Sequence, residues 1–119
     1  MEFEMKLNSL YLCVKDMEQA INFYERFLEQ PVDKKDAVLS IFNFHGFRFC
    51  LFDNKKVHEK VVWGDNCIPS FEVSDMEKLR EKLDDLNVEI VFPLTEIGGN
   101  WVLEFRDSEG NDIEVYSKI

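Results

Sequence analysis

The chain has 119 residues, 45% hydrophobic and 32% charged, with a net charge of −10 from 24 acidic against 14 basic residues. Such a length suits one domain, here 1–119, able to bury roughly two-thirds of its unfolded surface. The acidic balance repels nucleic-acid phosphates and anionic membranes and mildly favours cationic ligands, so neither nucleic acid nor membrane is an expected partner.

The start, M-E-F-E-M-K-L-N, lacks the basic-then-apolar succession of a signal peptide. No run approaches the ~18 apolar residues of a membrane span. Cys13, Cys50 and Cys67 show no C-x-x-C spacing, so reduced thiols in a cytoplasmic protein are expected rather than disulfides or a zinc site.

In chain order, L-N-S-L-Y-L-C-V (7–14) alternates and reads as a strand. Asp16 then caps a helix whose apolar face is Ala20, Phe23, Tyr24, Phe27 and Leu28, and Gln30-Pro31 ends it. A-V-L-S-I-F-N-F (37–44) and F-R-F-C-L-F-D (47–53) are strands joined by a tight His45-Gly46 hairpin, and 53–60 is a polar connection. C-I-P-S-F-E-V (67–73) is a strand, after which Ser74 or Asp75 caps a helix carrying Leu79, Leu83 and Leu86. V-E-I-V-F (88–92) is a short strand, and N-W-V-L-E-F-R (100–106), the turn D-S-E-G-N (107–111) and D-I-E-V-Y (112–116) form a second hairpin.

The phrase V-K-D-M-E at 14–18 returns as V-S-D-M-E at 73–77, a shift of 59 residues. The same shift carries Asp16 to Asp75, Ala20 to Leu79, Tyr24 to Leu83 and Phe27 to Leu86, so the helical registers coincide. Element order and register together predict a duplicated βαβββ unit, with one module at about 5–60 and the other at about 64–117.

At this point the chain resembles the vicinal oxygen chelate superfamily. L-Y-L-C-V-K-D-M-E-Q-A-I-N-F-Y-E-R-F-L is similar to that family's opening strand–V-x-D–helix signature. F-R-D-S-E-G-N-D-I-E-V resembles its closing hairpin, with Ser108 where a proline is usual. The resemblance implies an α+β fold in which two βαβββ modules form a curled mixed sheet around a central cavity, as in glyoxalase, bleomycin-resistance and dioxygenase proteins. It also implies a homodimer. Counted onto this chain, the family's metal-ligand positions fall on Ser9, Cys50, Ile68 and Glu114. A divalent cation of this class wants imidazole or carboxylate from at least three protein groups, and only Glu114 qualifies. The expectation is no metal and no cofactor.

Strand alternation from those positions places Tyr11, Cys13, Arg48, Cys50, Phe52, Ser70, Glu72, Asp112, Glu114 and Tyr116 on the ligand side, with Trp101 and Phe105 added from the closing hairpin. Leu10, Leu12, Val14, Phe49, Leu51, Phe71, Val73, Ile113 and Val115 form the opposing core. The leading expectation is metal-independent binding of a small cationic or aromatic molecule, similar in kind to the bleomycin-resistance proteins. The alternatives are a glyoxalase-related lyase or isomerase with Glu114 as its catalytic group, and a protein-interaction role with the cavity filled by side chains. Whether the protein is an enzyme stays open.

Overall fold

Each V-x-D-M-E phrase closes a strand and starts a helix. The computed structural model describes residues 3–63 and 67–119. In it, β1 (Ser9–Cys13) leads to α1 (Met17–Leu28), where Asp16 Oδ1 accepts a hydrogen bond from Gln19 N at 3.1 Å. Likewise β4 (Ser70–Glu72) leads to α2 (Met76–Leu86), where Asp75 Oδ1 accepts from Lys78 N at 3.1 Å. Asp75 rather than Ser74 is therefore the second cap. Both helices end on a residue in the left-handed region, Glu29 at φ 58° and Asn87 at φ 55°.

The chain divides into two units, Met1–Val61 and Val62–Ile119. The expected start of the second module, residue 64, lies outside the described residues. In the first unit, β2 (Leu39–Phe44) and β3 (Phe47–Phe52) flank His45-Gly46, both with positive φ (52° and 81°), the geometry of a type I′ hairpin. The sheet order is β1-β3-β2, with β1 parallel and β2 antiparallel to β3. A short 3-10 turn, Asn54–Val57, follows.

This unit is the shorter form of the expected module, βαββ with an isolated bridge at the place of the further strand. Where the second unit has a full strand after its helix, the first has a single bridge between Lys34 and Ile41, bonded both ways at 3.0 and 2.8 Å. The cause lies in local side chains that compete for backbone donors. Asp33 Oδ2 takes Asn43 N at 2.6 Å, and Asp36 Oδ2 takes Val38 N and Leu39 N at 2.9 and 3.1 Å. Donors that a neighbouring strand would have used are spent on aspartates.

The second unit is βαβββ, with β5 (Ile90–Ile97), β6 (Asn100–Arg106) and β7 (Asp112–Lys118) in the order β4-β7-β6-β5. Here β5 outruns the expected 88–92 because its pairing shifts register between Phe92 and Thr95, which lets an edge strand carry Pro93. The 107–111 turn is held by Asp107 Oδ1, which accepts from Glu109 N and Asn111 N, both at 2.8 Å.

The predicted core alternation holds. Val14, Leu51, Ile113 and Val115 are fully buried, and Phe49 packs its ring 5.0 Å from that of Tyr24 on α1. Among the described residues, no helix is long and apolar enough to cross a membrane.

Candidate functional site

In the first unit, β1 and β3 run side by side in a register that pairs Ser9 with Arg48, Tyr11 with Cys50, and Cys13 with Phe52. Partners in register share a face, so Tyr11, Arg48, Cys50 and Phe52 stand together as expected from alternation. Tyr11 is 53% exposed, and its ring lies 6.0 Å from that of Phe52. Arg48 is exposed, whereas Cys50 is buried. Burial pushes the Cys50 thiol up from its ordinary value, against a smaller opposing pull from Arg48. Cys13 is raised too, by burial and by the Glu59 carboxylate. Neither thiol is poised as a nucleophile, because that role needs the thiolate.

In the second unit, β4, β7 and β6 bring Ser70, Glu114 and Glu104 into one row, with Glu72, Tyr116 and Val102 in the next. Ser70 donates its hydroxyl to Glu114 Oε2 at 2.5 Å. Glu104 stands directly opposite Glu114, and Phe92 of β5 stands opposite Glu104. Asp112, two residues before Glu114 and so on the same face, is buried, and its Oδ1 accepts no hydrogen bond among the described residues. At the exposed end of this face, Glu72 lies 4.0 Å from Lys118 Nζ.

Trp101 and Phe105 do not belong here, which corrects their expected place on the ligand side. The register pairs Phe105 with Ile113 and Trp101 with Ser117, so both side chains lie on the sheet's other face. Phe105 is fully buried there, while Trp101, nearer the strand end, is 37% exposed. Sequence reading missed Glu104 and Phe92, whereas alternation from Glu114 puts Asp112 on this face. The signal was present: closing the hairpin symmetrically around 107–111 pairs Arg106 with Asp112, and that alone puts Glu104 beside Glu114.

The metal-ligand positions of the resembled fold hold Ser9, Cys50, Ile68 and Glu114. Ile68 offers no donor, Ser9 only a neutral hydroxyl, and Cys50 a buried thiol whose proton is held more tightly than usual. This donor set does not fit a divalent cation. Among the described residues, no three His, Cys, Asp or Glu side chains converge on one point.

No family model matches the chain, but solved structures do. A glyoxalase-related enzyme from Fulvimarina pelagi superposes with a TM-score of 0.81 at 14% identity, over 97% of this chain and 89% of that one. A glyoxalase/bleomycin resistance protein/dioxygenase from Nocardioides gives 0.78 at 17% identity, over 100% and 87%. A lactoylglutathione lyase from Agrobacterium tumefaciens gives 0.77 at 17% identity, over 96% and 94%. At these identities the likeness speaks to architecture, and the chain has the α+β fold of the glyoxalase, bleomycin-resistance and dioxygenase proteins.

Proposed function

We propose that the protein binds a small aromatic cation, without a metal, on the face of the second unit that carries Glu114. The observation that carries this reading is the set of acceptors there. Glu114 is anchored by Ser70, Glu104 faces it across the ladder, and Asp112 keeps a buried acceptor that has no hydrogen-bond partner among the described residues. Like charges set directly opposite one another destabilise a sheet, and an orphaned buried acceptor costs about 1–3 kcal/mol. A ligand that brings positive charge and N–H donors would pair with Glu114 and satisfy the Asp112 acceptor. Tyr116, Val102 and Phe92 on the same face supply apolar contact for its ring.

A panel of benzamidine, 4-aminobenzamidine and tryptamine, set against benzamide and benzoate, tests the reading by thermal shift. Stabilisation by the cations that Glu114→Gln removes supports it; equal responses to all five compounds, or to none, defeat it.

A second reading, a lyase or isomerase with Glu114 as base, draws support from the likeness to a lactoylglutathione lyase. Turnover of a carbonyl-bearing substrate, abolished by Glu114→Gln, would favour it over binding alone. We also take the protein to be a cytoplasmic homodimer. The three free cysteines suit a reducing compartment, and light scattering measures the mass in solution.

A further inference from the structure

The chain ahead of β1 is patterned like a strand but pairs with nothing. Residues 3–8 make no helix, turn or bend, and all of them are exposed. Their apolar side chains alternate with polar ones. Phe3, Met5 and Leu7 stand 75–83% exposed, at the same parity as exposed Tyr11 in β1. The ladder to β3 begins only at Ser9, preceded by one bond from Arg48 N to Asn8 O at 3.3 Å. Among the described residues no hydrogen bond reaches the backbone of 3–7.

A strand edge left open in this way is a template for another strand, and the side chains indicate which one. F-E-M-K-L at 3–7 is complementary to itself. Laid antiparallel on a second copy about Met5, it sets Phe3 opposite Leu7, Glu4 opposite Lys6 and Met5 opposite Met5. The two-fold axis makes each unlike pair twice. The apolar side chains then share one face of the ribbon, and the opposite charges share the other.

Other pairings lose this match. Centring the ribbon on Glu4 or on Lys6 sets that charge against its own copy, and so does parallel pairing in register. Like charges directly opposite one another destabilise a sheet. A slip of one residue sets apolar side chains against charged ones. Charge and hydrophobicity therefore select a single register, and the strand that fits it is the same strand.

We propose that residues 3–7 pair antiparallel with residues 3–7 of a second copy of this chain, in a two-stranded ribbon that joins the protomers. The proposal rests on the homodimer reading and gives that dimer its contact. It does not depend on what Glu114 binds. A contact made by such short segments is small, so the dimer it supports is a weak one whose population rises with concentration.

Sedimentation equilibrium of the wild type, Glu4→Lys and Lys6→Glu over a range of concentrations tests it. The segment is exposed throughout, so both variants should keep the fold, which circular dichroism checks. Each variant alone turns two opposite-charge pairs into like-charge pairs and should weaken dimerisation about 4-fold or more. An equimolar mixture of the two should associate more tightly than either alone, because between unlike chains both pairs are again of opposite charge. A wild-type dimer that neither substitution weakens, or a mixture no tighter than its components, would overturn the ribbon while leaving a homodimer held some other way. A wild type that stays monomeric up to about 1 mM would overturn the homodimer reading together with it.

Discussion

Ser70 on β4 donates its hydroxyl to Glu114 Oε2 at 2.5 Å, across the parallel pairing of β4 with β7. The bond fixes one oxygen of the carboxylate of a half-buried residue. A fixed carboxylate loses little rotamer freedom when it meets a ligand, so part of the ordering cost of binding is met in advance. Ser70→Ala should therefore weaken binding of 4-aminobenzamidine by roughly 3- to 10-fold, the loss of one neutral-to-charged hydrogen bond, with the fold intact. Calorimetric titration of the two proteins checks this.

The β6–β7 register makes a prediction about stability that separates two neighbouring aromatics. Phe105 is fully buried on the helix side, whereas Trp101 is 37% exposed on that same side. Phe105→Ala should cost about 3–5 kcal/mol, as large-to-small core substitutions do. Trp101→Ala should cost clearly less, about 1 kcal/mol. Urea unfolding of both variants measures the difference, and comparable losses would mean that the register is wrong.

The duplicated aspartates are caps, and their energies follow. Asp16→Ala and Asp75→Ala should each remove about 1 kcal/mol. The double variant should lose close to the sum, because the residues serve separate helices in separate units. Chemical denaturation of the singles and the double checks the additivity.

Much of this fold was legible because its signals are local. Asp16 and Asp75 announce their helices, His45-Gly46 announces a hairpin, and strict alternation separates Leu12 and Leu51 from Tyr11 and Cys50. The missing strand in the first unit was not legible, because nothing in V-D-K-K-D says which backbone donors Asp33 and Asp36 will capture. The face of Trp101 and Phe105 depends on hairpin register. A five-residue turn fixes that register only when both of its ends are counted, and alternation alone leaves it undetermined. Glu104 was lost by the same route.

Acid should act on Asp36 in a definite direction. Hydrogen bonds from Val38 N and then Leu39 N hold its carboxyl below the usual range. A group with a depressed folded value stabilises the protein above its unfolded value, about 3.9 for aspartate, and that contribution fades as pH falls through the folded value. Asp36→Asn should thus flatten the stability profile at the acid end while changing little of its slope near neutrality. Denaturation midpoints collected from neutral to strongly acid pH test the sign.

The central claim is that Glu114 holds a small cation without help from a metal. Calorimetric titration of chelator-treated protein with 4-aminobenzamidine tests it most directly, run beside Glu114→Gln and with elemental analysis of the untreated sample. Saturable one-site binding is expected in the metal-free protein, weakened about 10-fold or more in the variant, as loss of a charge-assisted hydrogen bond would give. Binding that appears only when a divalent metal is restored would contradict it, as would a stoichiometric metal that Glu114→Gln removes.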